Sequence, residues 1–177
     1  MKDFSLKFLD VMIGLVLGLG FQWWPNLVEP WQYIAFVFVY FDIVDHWIDY
    51  SPQLRKFPPK RELDILLNIG LMFAFFLYIY TTQLTLVHFL AAFVLFRVLD
   101  FFWLLSSKRE YHPTGNDKSY VDVWLRYNVF EIVTTLGLLA VAYFYTFPTL
   151  YLLLAYIGIR VLVRVFASWQ YKKVHFV

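Results

Sequence analysis

Three carboxylates and one imidazole recur at short intervals inside an otherwise apolar stretch of the sequence. The stretch YFDIVDHWIDY, residues 40–50, contains Asp42, Asp45, His46 and Asp49. At about 100° per residue, these side chains fall within roughly 100° of arc on one face of a helix. Carboxylates beside an imidazole can exchange protons or coordinate a cation. This face is therefore a candidate ion, proton or metal site.

The composition around this face is that of a membrane protein. Of the 177 residues, 61% are hydrophobic and 16% are charged, whereas soluble domains average about 45–50% apolar and about 25% charged residues. The absence of cysteine excludes disulfides, thiolate chemistry and cysteine-based metal sites. We predict a multi-pass integral membrane protein whose main partner is the lipid bilayer, located in the cytoplasmic (inner) membrane of a prokaryote.

Proline and polar clusters divide the chain into six apolar segments, each near the ~20 residues that a bilayer requires. The predicted transmembrane helices of this all-α, single-domain protein are about 8–24, 31–50, 62–80, 84–106, 121–145 and 148–169. Lysine and arginine lie before the first segment, between the second and third, between the fourth and fifth, and after the sixth. The other three loops contain neither residue. The positive-inside rule then places both termini on the cytoplasmic side.

Further charges lie in the cytoplasmic half of the predicted helices, where each must find a partner. A charge at the centre of a membrane helix costs roughly 2.5–3.5 kcal/mol. We therefore predict an inner ion-pair network formed by Arg97, Asp100, Arg126, Glu131, Arg160, Arg164 and the amide of Asn68. The inner layer holds more carboxylates than arginines, counting Asp10, Asp42, Asp45, Asp49, Asp100, Asp122 and Glu131 against Arg97, Arg126, Arg160 and Arg164. This surplus predicts an acidic, cation-attracting vestibule on the cytoplasmic side.

The first helix is a candidate for the lining of a pore. Gly14 and Gly18 form a small-xxx-small pair that allows another helix to approach closely. Residues 11–21 of the segment carry no polar side chain, and Asp10 lies at its cytoplasmic end. A conduit along it would be lined by Leu15, Leu19 and Asp10, and its constriction would be hydrophobic.

Three short motifs, in this order, resemble one known family of channels. They are Phe8-Leu9-Asp10 at the start of helix one, DHWID around His46, and LLNIGLMFAFF around Asn68. This pattern resembles that of the prokaryotic and lysosomal potassium channels without a P-loop, which have a Phe-Ser-Asp signature in the first helix. Leu9 stands where that signature has serine. The resemblance implies six helices per repeat, potassium conduction and a hydrophobic pore constriction at Leu15.

The leading hypothesis is a homo-oligomeric ion channel that conducts inorganic cations, with potassium as one candidate. The second is a proton- or metal-coupled transporter that uses the Asp/His cluster of helix two, and the third is a non-conducting accessory or structural subunit. No nucleophile–base constellation points to an enzyme. We predict no resident cofactor, although a bound cation fits the site, and no nucleic-acid partner, because topology explains the basic residues.

Overall fold

The computed structural model of the protein describes residues 2–175, with side chains described for residues 7–170. The chain forms six α-helices, and the described residues contain no strand. The helices are α1 (Lys2–Gly20), α2 (Pro30–Lys56), α3 (Glu62–Tyr80), α4 (Leu86–Tyr111), α5 (Gly115–Phe144) and α6 (Thr149–His175). The prediction of an all-helical protein is confirmed.

Several helices extend beyond the apolar segments that predicted them. α2 continues through Pro52 to Lys56, α4 continues to Tyr111, and α5 begins at Gly115. These extensions are polar and keep their backbone hydrogen bonds, because a helix does not have to end where its apolar run ends. α1 instead ends early, at Gly20, and the chain continues as a 3-10 helix over Phe21–Asn26.

Five of the six helices are long and apolar enough to cross a membrane, as judged by length and composition. This property is consistent with an integral membrane protein. The exception is α2, because its three aspartates, His46 and Gln32 lower the mean hydropathy of its central part. The helix with the candidate chemistry is thus the least apolar of the central segments.

Cross-helix contacts define the two ends of the bundle. At what we call the basic end, Lys56 Nζ lies 2.6 Å from Asp117 Oδ1, connecting the end of α2 to the start of α5. At what we call the aromatic end, Asn26 donates to Gln83 Oε1 at 3.1 Å, which joins the segments after α1 and α3. Consecutive helices therefore run antiparallel between these two ends.

α1 packs against α2 and α3 through a close approach at Gly20. The Tyr40 hydroxyl donates to the backbone oxygen of Leu17 at 2.8 Å. A Cβ atom on Gly20 would lie 2.7 Å from the Tyr40 hydroxyl and 2.9 Å from Ile79 Cδ1, so only glycine fits there without rearrangement. The opposite face of α1, which includes Leu15 and Leu19, is exposed.

The aromatic half of the bundle has a core of stacked and edge-on rings. Tyr78 lies 5.1 Å from Phe89 between ring centroids, and Phe93 lies 5.0 Å from Tyr156. Phe96 closes this core toward the basic end, with its ring 4.9 Å from that of His46. The apolar core therefore ends where the charged side chains begin.

Candidate functional site

Four helices contribute to one buried group of charged and polar side chains, which we call the buried cluster. Its members are Asp42 and His46 from α2, Arg97 and Asp100 from α4, Asn128 and Glu131 from α5, and Arg160 from α6. Spacings of three or four residues place each pair on one face of its helix. All seven side chains are buried, so their charges are balanced by one another and not by bulk water.

Glu131 holds the two arginines of the buried cluster together. Its Oε2 lies 2.8 Å from Arg97 Nε, and its Oε1 accepts from Arg160 Nη1 at 2.9 Å. The other terminal nitrogen of Arg160, Nη2, lies 2.8 Å from Asp42 Oδ1. A continuous chain of ion pairs thus links α4, α5, α6 and α2.

Asn128 supports the neighbouring pair of Arg97 and Asp100. Its Nδ2 donates to Asp100 Oδ2 at 2.8 Å, while its Oδ1 accepts from Arg97 Nη1 at 3.4 Å. Arg97 Nη1 also reaches Asp100 Oδ2 at 3.5 Å. The Arg97 guanidinium lies over the Phe96 ring, 4.4 Å from its centroid, in a cation–π contact. The cluster is therefore anchored on the aromatic core.

His46 faces Asp100 without touching it directly. Its Nε2 lies 3.7 Å from Asp100 Oδ1, beyond the usual hydrogen-bond range of about 2.7–3.2 Å. The imidazole ring stacks on Tyr50 at 5.4 Å and meets Phe75 edge-on at 5.5 Å. The ring is thus held in place by aromatic neighbours, with its Nε2 directed at a carboxylate.

A small cavity adjoins the His46–Asp100 pair. Its volume is about 20 Å³, and one water molecule needs about 10–15 Å³ on this measure. Its lining includes His46, Asp49, Asp100, Tyr120 and Trp124. The cavity therefore combines enough room for one water with several polar groups.

The buried cluster carries an excess of negative charge when all its acids are ionised. Three carboxylates (Asp42, Asp100 and Glu131) face two guanidiniums (Arg97 and Arg160), and His46 is neutral in its unprotonated form. One unit of negative charge then remains in an environment that excludes water. Such a charge is costly to bury, so a proton or a small cation is expected to neutralise it.

A second group, which we call the outer cluster, lies one turn of α6 closer to the basic end. It consists of Arg164 with Asp45 and Asp49 of α2. Arg164 Nη2 donates to Asp45 Oδ1 at 2.8 Å, and the same guanidinium also pairs with Asp49. This cluster is only partly buried. Like the buried cluster, it has one carboxylate more than it has arginines, but solvent reaches it.

The four polar residues predicted on one face of α2 thus have three different partners. Asp42 pairs with Arg160, Asp45 and Asp49 pair with Arg164, and His46 faces Asp100. Each acid of helix two thus has an arginine partner, and the acidic vestibule that their surplus predicts stays a prediction. In the part of the chain that the structure describes, no three histidine, aspartate or glutamate side chains are grouped so that they could hold a metal ion.

Two residues predicted for the ion-pair network lie elsewhere. Arg126 is exposed, and its Nε donates to the backbone oxygen of Asp122 at 3.3 Å. The Asp122 carboxylate instead pairs with Lys108 at 2.6 Å. Asn68 is buried one layer away, where it accepts from the Tyr50 hydroxyl and donates to the Asp64 backbone at 2.7 Å.

The predicted pore-lining residues lie on the outer surface of this chain. Asp10, Leu15 and Leu19 are all exposed, outside the buried face of α1 that packs against the bundle. These three side chains therefore line no conduit within one copy. A pore along this helix would have to form between copies.

Sequence reasoning missed several residues of the site. Asn128 could have been found from its spacing of three residues to Glu131. Tyr120 and the hydrogen-bonded pair of Tyr78 and Tyr156 carried no such signal. Tyr156 precedes Arg160 by one helical turn, so this hydroxyl pair extends the polar groups toward the aromatic end.

Comparison with known proteins gives no indication of this protein's function. No protein-family model, curated protein or solved structure matches the chain. The resemblance to potassium channels without a P-loop therefore stays a prediction, based on its three short motifs.

Proposed function

We propose that this protein is an integral membrane protein that moves protons, and that His46 and Asp100 form its proton-binding pair. In this proposal all six helices cross the bilayer, α2 included, and the basic end faces the cytoplasm. α2 is tolerated in the membrane because the acids of its polar face pair with Arg160 and Arg164 of α6.

The observation that carries the proposal is the excess carboxylate in the buried cluster. A group of charges that served only to hold helices together would be expected to balance, because an unpaired buried charge lowers stability. Here Asp42, Asp100 and Glu131 outnumber Arg97 and Arg160. The remaining charge makes the site a proton acceptor within an otherwise apolar bundle.

The surroundings of Asp100 favour a proton over a larger cation. The adjoining cavity has room for about one water molecule, and within residues 7–170 no ligand set for a metal is present. A proton needs only an acceptor and a hydrogen-bonded path. His46 and Asp100 supply two neighbouring acceptors, so a proton can pass between them when water connects the pair.

Proton flux into liposomes tests this proposal. The purified protein is reconstituted with a pH-sensitive dye inside the vesicles, and valinomycin with potassium sets the membrane potential. We expect potential-driven acidification with the wild-type protein. His46→Gln or Asp100→Asn is expected to lower the rate by about 100-fold or to background, as happens when a positioned proton-transfer group is lost.

His88→Gln provides the matched control for these variants. His88 lies near the start of α4 at the aromatic end, where its Nδ1 is 2.8 Å from the Thr85 hydroxyl. This variant is expected to keep the wild-type rate. If folded wild-type protein gave no flux, proton movement would be wrong as the function. If both cluster variants kept the wild-type rate, the assignment of the pair would be wrong.

A second candidate is an oligomeric cation channel with α1 at its axis. The observation that favours it is the open face of α1, where a Cβ atom on Gly14 or Gly18 would meet nothing within 4 Å. Leu15 and Leu19, on the same side, are each 51% exposed. Recording in planar bilayers under a potassium/sodium gradient tests this candidate. Unitary currents that Leu15→Asn leaves unchanged would contradict a pore along α1.

A further inference from the structure

We infer that the cavity beside His46 binds a single water molecule that bridges His46 to Asp100. The cavity opens toward the basic end. The role of this water in proton entry rests on the proposed function. Its presence does not, since it follows from the geometry of the cavity alone.

The distance between the two acceptors supports a bridging water. At 3.7 Å, His46 Nε2 and Asp100 Oδ1 are too far apart for a direct hydrogen bond, yet one water can lie within bonding distance of both. The His46 side chain is buried, with only 7% of its surface exposed, and its Nε2 has no direct hydrogen-bond partner among the described residues. A buried nitrogen of this kind normally bonds to an ordered water.

The cavity also meets the requirements for holding that water. Its volume of about 20 Å³ exceeds the minimum for one molecule, and a buried water typically makes about three hydrogen bonds. His46 and Asp100 supply two partners. Tyr120, which lines the same cavity and donates to the backbone oxygen of Asp49 at 3.5 Å, brings a hydroxyl as a third.

The surroundings of the cavity differ between its two sides. Toward the aromatic end, the rings of Phe75 and Phe96 pack against His46. Toward the basic end, the lining includes Asp49, which also belongs to the partly exposed outer cluster. The water site therefore lies between the buried cluster and the partly exposed outer cluster. Tyr120 lines the cavity between these two clusters.

Water-edited nuclear magnetic resonance of the reconstituted protein tests the inference. Histidine is labelled with ¹⁵N, and the His46 signal is identified by its loss in His46→Gln. In the wild-type protein, we expect magnetisation to pass from water to the His46 ring as efficiently as it does to the exposed ring of His88. A His46 ring that receives none would overturn the water site.

A cavity-filling variant provides the second arm of the experiment. Leu104 lines the cavity, and Leu104→Phe is expected to abolish the water transfer to His46. Leu95→Phe makes the same change on the exposed side of α4 and is expected to leave the transfer unchanged. If the folded Leu104→Phe protein kept the full transfer, the water would lie elsewhere. If Leu104→Phe failed to fold, the wild-type result would still decide.

Failure of this inference can be told apart from failure of the proposed function. Water contact at His46 without proton flux would support the water site and contradict proton movement. Flux with a dry His46 would do the reverse. If both are present, we expect Leu104→Phe to reduce the flux at least tenfold while Leu95→Phe keeps it, and equal fluxes would contradict the route through this cavity.

Discussion

Arg160 and Arg164 lie one turn apart on α6, and each binds two carboxylates. Arg160 pairs with Asp42 and Glu131 and is 3% exposed. Arg164 pairs with Asp45 and Asp49 and is 18% exposed, while Asp45 is 39% exposed. In the sequence the two arginines are four positions apart, and nothing else distinguishes them. In the fold they belong to two clusters with different access to solvent.

Depth in the bundle, more than residue type, determines what each charged cluster can do. Both clusters have more acid than arginine. In the outer cluster, water solvates the excess charge at little cost. In the buried cluster, the same excess has to be neutralised by a bound species, because the desolvation of an unpaired charge is severe. The proposed proton site follows from the position of the excess as much as from its size.

The largest expected effect is that of removing the buried arginine. Arg160→Met leaves Asp42 without its ion pair and Glu131 with only Arg97, so we expect a loss of about 3–5 kcal/mol in the free energy of unfolding. Reversible unfolding in detergent micelles measures it. A loss no larger than that of Arg164→Met would show that burial does not separate the two clusters.

A smaller effect is expected from the other member of the same ion pair. Asp42→Asn leaves two carboxylates facing two guanidiniums, and the asparagine oxygen can still accept from Arg160. We expect a loss of about 1 kcal/mol, the difference between a charge-assisted and a neutral hydrogen bond.

Asp42→Asn is also expected to change the proton flux. Because the variant balances the buried cluster, its need for a proton disappears, and the proton flux should fall even though His46 and Asp100 are intact. The liposome assay measures this change. Wild-type flux in folded Asp42→Asn protein would show that the excess charge is not what makes the site a proton acceptor.

The smallest effect is expected in the outer cluster. Arg164→Met removes a partly solvated partner of Asp45 and Asp49, so the free energy of unfolding should fall by less than about 1 kcal/mol. High salt should reduce the difference from wild type, because ions screen charges that solvent can reach. Unfolding at two salt concentrations measures this. A large loss that salt does not change would place the outer cluster in the same class as the buried one.

Part of this arrangement could be predicted from the sequence. Periodicity placed Asp42 and His46 on one face of a helix, and Arg160 and Arg164 on one face of another. Because exposing charged side chains to lipid costs free energy, both faces were expected to turn toward the inside of the bundle. Spacing also separates Asn128 from Arg126. Asn128 lies about 60° around α5 from Glu131, whereas Arg126 lies about 140° away and so falls outside the network.

The rest depends on how the helices are rotated against one another, which a single sequence does not determine. Helical spacing gives the angle between Asp42 and Asp45, but not the fact that one meets Arg160 and the other Arg164. Likewise, the gap between His46 and Asp100 results from the packing of α2 against α4. The cavity beside His46 also arises from this packing, so residue types alone do not predict it.

Infrared difference spectroscopy across a pH titration tests the central claim most directly, that the buried cluster takes up a proton at His46 and Asp100. We expect a signal from a buried protonated carboxyl or an imidazolium in the wild-type protein, shifted in heavy water and lost in both Asp100→Asn and His46→Gln. Spectra without any such signal over the pH range in which the protein stays folded, or with a signal unchanged in both variants, would contradict it.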